Sequence, residues 1–209
     1  MDNVLPRVVF TVFGLPVRNT VVSTWIMMAM VVIGVLYVRK KAPVVLEMLI
    51  DFAESTASSF IGGPIDAYIP FLGSLVVFIA VANLIGVVPL MVTPTRDINT
   101  PLALALVVLV VPFAFGIKTK GIGGFIKGFF LGGILPLDLI GYVSRTMSLT
   151  LRLFGNILGG EIIVSVVASL VPVGVPLFFW ILTGSITGIL QAYVFTVLAA
   201  SYINSEVGA

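Results

Sequence analysis

The sequence contains no cysteine and no histidine among its 209 residues. Without thiols it can form neither a disulfide nor a thiolate metal site, and cysteine usage assigns no redox compartment. Without histidine it lacks the commonest metal ligand and the usual neutral-pH proton carrier, so a proton path must use carboxylates, hydroxyls, amides or water. Charge is scarce too: Asp, Glu, Lys and Arg make up 10% of the chain, against about a quarter in soluble domains. The net charge of +2 comes from scattered cations, which argues against a nucleic-acid footprint. No nucleophile triad, metal site or phosphate loop is visible, so the chain is not expected to be catalytic by itself or to carry a cofactor. What is abundant is apolar: hydrophobic residues form 59% of the chain, more than a soluble core can hide. The composition is that of an integral membrane protein. The start, "MDNVLPRVVFTVFGLPVRN", lacks the charge, apolar core and cleavage pattern of a signal peptide, and none is expected.

A spanning helix needs roughly 20 mostly apolar residues. Residues 20–38 form the first such run, closed by Arg39, Lys40 and Lys41. In residues 43–61 the polar side chains Glu47, Asp51, Glu54, Ser55 and Ser58 recur at steps of one, three and four, one stripe of an amphipathic helix suited to the membrane surface. Further spans are expected over 68–92 and 102–117, separated by "TPTRDINTP", in which Asp97 reads as a solvated turn residue unless it guards an entrance. The basic, glycine-rich "KTKGIGGFIKG" then reads as a connection. Two long apolar stretches follow, 129–171 and 175–203, with "PVGVP" between them. A continuous helix over the first would be roughly 65 Å long, about twice the hydrocarbon thickness. It must break, at Gly132, Gly133 or Pro136, or lie steeply inclined with its successor as a slanted hairpin, the preferred reading. The expected fold is therefore an all-α membrane protein in a single domain over residues 1–209. About five membrane-passing helices are joined by an amphipathic surface helix, and the last two are long and tilted.

Alternating topology puts Arg39, Lys40, Lys41, Lys118, Lys120 and Lys127 on one side and Arg7, Arg18 and Arg96 on the other. The larger set should be cytoplasmic. That puts the N-terminus outside and the C-terminus in the cytoplasm.

Polar residues inside the apolar stretches mark candidate functional positions. At about 100° per residue, Asp138, Arg145 and Arg152 fall on one stripe, with Ser148 and Asn156 flanking Arg152 one turn away. Gly155 and Gly159 lie on the same side, a small-xxx-small pair that admits a close helix neighbour. Glu161, nine residues beyond Arg152, falls on the opposite face, so this acid and this arginine are not same-helix partners. Asp138 and Glu161 lie roughly 34 Å apart along a helix, near opposite membrane levels. Folding back at "PVGVP" brings Gln191 to within one or two helical turns of Arg152, where it can position the guanidinium. Gly184, Thr187, Gly188 and Gln191 share a face. Asn83 and Gln191 read equally well as interhelical hydrogen-bonding groups or as part of an ion path. Asp138 and Arg145 could also sit at the headgroup level.

The stretch "SLTLRLFGNILGGE", followed by "LQAYVF", resembles the subunit a family of the F-type ATP synthase membrane sector. "NTVVSTWI", "ANLIGVVPL", "DINTPLALAL" and "GIKTKGIGGFIKGF" extend the likeness along almost the whole chain. The resemblance implies an ion-translocating stator subunit in the bacterial cytoplasmic membrane, with the proton as the expected ion. Its partners would be a ring of c subunits bearing the essential carboxylate, peripheral-stalk b subunits, the F1 catalytic sector and membrane lipid. It implies that Arg152 is the family's essential arginine, Asn156 the amide one turn on, Glu161 the acid of the outer half-channel and Gln191 the glutamine of the last helix. Asp138 matches a cytoplasmic-side acid, and Arg145 and Ser148 match polar positions. Two departures stand out. Gly184 occupies a place where some relatives carry a histidine coupled to the acid, and Arg96 stands where many have a small neutral residue. Two other readings compete: a self-contained secondary transporter with Arg152 binding an anion, and a membrane scaffold. No repeat relates the halves, and five spans divide poorly into two.

Overall fold

The computed structural model of the chain describes residues 8–12, 15–62, 65–87, 92–131, 135–171 and 174–208. These residues are overwhelmingly helical, as a lipid environment demands: only a helix or a closed barrel satisfies every backbone N–H and C=O without water. The exception is a short antiparallel hairpin, β1 (Val8–Val12) with β2 (Leu15–Arg18), paired from Val8 opposite Arg18 to Val12 opposite Leu15. The strands precede the first apolar helix, and from there on the described chain is all-α, as expected.

The helices are α1 (Asn19–Lys41), α2 (Pro43–Phe60), α3 (Ile69–Leu84), α4 (Asn99–Leu131), α5 (Leu135–Leu170), α6 (Val175–Leu182) and α7 (Gly188–Val207). A single π-helical turn, Thr183–Thr187, joins α6 to α7. By length and apolar character α1, the Asn99–Gly124 part of α4, the Ile140–Leu170 part of α5, and the run Val175–Val207 can cross a membrane; α3 is apolar but shorter. The chain is thus a multi-pass membrane protein.

Several boundaries move. The third apolar run does not end at 117. Helix continues through Lys118 and Lys120, and Gly121 breaks it at φ 73°, ψ 160°, a left-handed φ that glycine accepts without strain. Residues 129–131 belong to this helix, and the next begins at Leu135. Pro136 then falls in a first turn, where its missing N–H has no intrahelical partner to lose. Residues 132–134 lie outside the described set. At 36 residues, α5 is about 54 Å long, so it must incline to remain within a hydrocarbon layer of about 30 Å. The second run is shorter than 68–92: α3 ends at Leu84 and a 3₁₀ turn, Ile85–Val87, follows. Gly86 lies so close to Thr93 that a Cβ there would collide with the Thr93 side chain.

The core lies where α3, α4, α5 and α7 meet. Leu72 and Ile79 of α3, Val108 of α4, Leu149 and Leu153 of α5, and Phe195 and Ile203 of α7 are all fully buried. Along α2, Ala53, Thr56 and Ala57 pack inward while Glu47, Asp51, Glu54, Ser55 and Ser58 face outward. Outside the core the apolar side chains are exposed, Trp25, Ile33 and Tyr37 of α1 among them, as expected of surface that meets lipid rather than water.

Candidate functional site: a polar seam between the helices

Buried hydroxyls in α5 first dispose of their own hydrogen-bonding needs. Thr146 donates to the Tyr142 carbonyl at 2.9 Å and Thr150 to the Thr146 carbonyl at 2.8 Å. These threonines, with Leu149, Leu153 and Ile157, form the buried stripe of α5. Arg152, Ser148, Gly155 and Asn156 occupy the exposed side. Arg152 touches Ser148 Oγ at 3.5 Å, at the limit of a hydrogen bond. The described residues give it no carboxylate within ion-pair distance. A Cβ built on Gly155 or Gly159 meets nothing within 4 Å, so packing within this chain does not require either glycine.

Gln191 does not hold the guanidinium, contrary to the sequence expectation. It is buried on α7, and its Oε1 accepts a hydrogen bond from Asn156 Nδ2 at 2.8 Å. The expected offset of one or two helical turns from Arg152 is met by Asn156, one turn on, whose amide bonds Gln191 instead. The Gln191 Nε2 group is buried with no hydrogen-bond partner among the described residues. Asn83, also buried, ties three segments together: its Oδ1 accepts from Thr95 Oγ1 at 2.9 Å and its Nδ2 donates to the Gly188 carbonyl at 3.3 Å. Gly188 permits that approach, since a Cβ there would stand 2.8 Å from Asn83 Cβ.

Glu161 faces away from Arg152 and meets Arg96, with Nε 3.1 Å from Oε2. Arg96 closes a 3₁₀ turn, Pro94–Arg96, and the turn is clamped on both sides. Thr95 is anchored on Asn83 as above. Asp97 is 4% exposed and accepts from Arg18 Nη1 at 2.8 Å, Thr20 Oγ1 at 3.3 Å and Asn99 Nδ2 at 2.8 Å. It is therefore no solvated turn residue; its partner Arg18 lies 79 positions earlier, beyond the reach of local sequence reasoning. Burial pushes the Asp97 carboxyl upward, but the bonds from Arg18, Asn99 and Thr20 outweigh it and hold the group below the usual carboxylate range. Beside Glu161 is a cavity of about 40 Å³ lined by Asn83, Thr93, Asn156, Trp180 and Gly184 among others. That volume admits water, and the asparagines, threonine and acid supply the polar partners water needs.

A second polar cluster lies toward the other end of α5. The Arg145 guanidinium sits 5.0 Å from the Tyr202 ring centre and 5.7 Å from that of Tyr142, within cation–π range. The Tyr142 hydroxyl donates to Glu206 Oε1 at 2.9 Å. Sequence reasoning missed Tyr142, Tyr202 and Glu206. The three-residue step from Tyr142 to Arg145 was the available signal; Glu206 had none. The Asp138 backbone lies in the early part of α5, and its side chain is outside the described set.

The site thus combines an outward-facing arginine, an inward-facing acid beside a polar cavity, and the amides of Asn156 and Gln191 between them. Residues 20–204 fit the profile described as ATP synthase A chain. The chain belongs to that family. It is 37% identical over 200 residues to "ATP synthase subunit a 2" of a Picosynechococcus species, covering 90% of this chain and 85% of that one. It is 34% identical over 216 residues to "ATP synthase subunit a" of Moorella thermoacetica, with 99% of each chain covered. The corresponding figures for "ATP synthase subunit a 2" of a Bradyrhizobium species are 35% over 208 residues, covering 95% and 93%. In this protein the polar groups form a seam that runs from the Arg18–Asp97 latch through Glu161 and Gln191.

Proposed function

We propose that the chain is the ion-translocating stator subunit of an F-type ATP synthase membrane sector, working against a ring of c subunits and held by peripheral-stalk b subunits. The observation that carries this reading is Arg152: a guanidinium exposed on an apolar helix, with no carboxylate of the described residues within ion-pair distance and two glycines clearing space beside it. A permanent cation in that position calls for an anionic partner on another chain, and a ring carboxylate supplies one.

In this mechanism an ion reaches the ring from the outer side through the cavity at Glu161 and neutralises a ring carboxylate. The neutral site rotates through lipid, which an ionised one could do only at several kcal/mol or more. After nearly a full turn it meets the second cleft, toward Asp138 and Arg145, and releases its ion to the cytoplasm. Arg152 favours the ionised carboxylate between the clefts. Because guanidinium does not deprotonate, it also bars direct cation leakage, as fixed positive charge does in other pores. Each charge that crosses gains about 2.3 kcal/mol per 100 mV, and the F1 sector converts the resulting rotation into ATP. Asn156 and Gln191 form the polar boundary beside the arginine. The N-terminus lies outside and the C-terminus in the cytoplasm.

The test is Arg152→Ala in the assembled complex. ATP synthesis in membrane vesicles should vanish while the complex still assembles, and passive ion leakage should rise. Synthesis at the wild-type rate would refute the mechanism.

A further inference from the structure

We infer that Arg96 is a tethered counter-ion of Glu161, a positioning residue that competes with the arriving ion and so sets the ion affinity of the outer site. This rests on the translocation reading above, but its structural basis is independent. Arg96 is largely buried at 12% side-chain exposure and reaches Glu161, itself 29% exposed, at 3.1 Å. The turn that carries it is fixed by the Thr95 bond to Asn83 and by the Asp97 bonds to Arg18, Thr20 and Asn99. A guanidinium on so constrained a support is presented to the acid rather than wandering near it.

Around Glu161 the neighbouring elements contribute neutral groups: Asn83 from α3, Trp180 from α6, Gly184 from the π turn and Asn156 from α5 itself. Arg96 is the charged group the described residues place against it. Gly184 presents no side chain to the cavity, so the acid's partner comes from the loop before α4 instead of from the helix opposite. The pair also divides labour between two arginines. Arg152 faces outward from the bundle, whereas Arg96 faces Glu161 and offsets the acid's charge until an ion takes its place. Two cations then compete for one carboxylate. Occupancy by the mobile ion requires the tethered one to yield, and removing the tethered one raises apparent affinity by the coupling between them.

The experiment uses the whole complex in proteoliposomes, with synthesis driven at fixed membrane potential and outer protons and outer sodium titrated separately. Arg96→Gln should lower the half-saturating concentration of the driving ion about tenfold, within the usual range for such coupling. Arg96→Lys, which keeps the charge, should restore the wild-type value. In a Glu161→Gln background Arg96→Gln should produce no shift. An unchanged half-saturation in Arg96→Gln, or an equal shift without the acid, would overturn the inference. A second readout needs no transport: modification of Glu161 by a water-soluble carbodiimide with an added amine, followed by peptide mass spectrometry. Modification should rise in Arg96→Gln and stay low in Arg96→Lys; equal modification in all three proteins also overturns it. Failure of the translocation reading would appear separately, as synthesis that survives Arg152→Ala.

Discussion

The Asp97 latch offers the most direct test of how the outer part of the seam is held. Asp97→Asn removes the negative charge while preserving shape, so the change isolates electrostatics from packing. The carboxylate accepts side-chain bonds from Arg18, Thr20 and Asn99 and is 4% exposed. A hydrogen bond to a charged group contributes about 1.5–3 kcal/mol. The Arg18 side chain is 40% exposed, which screens its share, and the Thr20 contact is long at 3.3 Å. The loss should therefore be about 2 kcal/mol. It should appear locally, because the amides of Arg96 and Asp97 bond to the Thr93 and Pro94 carbonyls of the same turn. In hydrogen exchange read by mass spectrometry, about 2 kcal/mol corresponds to roughly a 30-fold faster opening of that turn. Exchange in the buried core around Leu153 and Phe195 should not change. The sign with pH follows from the lowered folded value. The stabilisation is complete above the unfolded carboxylate pKa and disappears as pH falls through the folded one, so acidification should bring the wild type towards the variant. If the turn exchanges within threefold of wild type in both Asp97→Asn and Asp97→Ala, the latch does not hold it.

Two further substitutions probe the seam elsewhere. Gly188→Ala places a Cβ 2.8 Å from Asn83 Cβ; overpacking of this kind costs about 1–3 kcal/mol, and the midpoint of thermal unfolding of the detergent-solubilised complex should fall. Tyr142→Phe removes the hydroxyl that donates to Glu206. It should cost about 1 kcal/mol and speed exchange at the end of α7, while Arg145 keeps both rings and assembly is normal.

The fold was legible where one physical rule governs. Long apolar runs in a charge-poor chain must be helices in lipid, and the alternating faces of α5 followed from 100° per residue. Boundaries failed where a single residue decides. Gly121 lets α4 run past Lys118 and Lys120 before breaking, and Pro136, a candidate break, falls in the first turn of α5. The hairpin before α1 escaped because Val8–Val12 and Leu15–Arg18 are too short to distinguish from irregular chain by periodicity alone.

At the site, periodicity could tell which way a residue faces but not whom it meets. It put Arg152 and Glu161 on opposite sides of one helix, yet the partner of the acid lies beyond that helix. For Glu161 the partner is Arg96, 65 positions earlier, which the sequence displayed only as a departure from the family pattern beside another departure, Gly184. The structure joins the two, since both border the space around the same carboxylate. A cation supplied from a clamped loop can offset the acid without occupying the helix opposite, leaving that wall open for water. An unclamped arginine could swing out towards the headgroups, and the acid would then be left without its counter-charge among neutral groups. The Asp97 latch and the Arg96 pair are thus one device: loosening the first by Asp97→Asn should reproduce, in weaker form, the lowered half-saturation expected when Arg96 is removed. A variant with a fully loosened turn and an unshifted ion requirement would separate them.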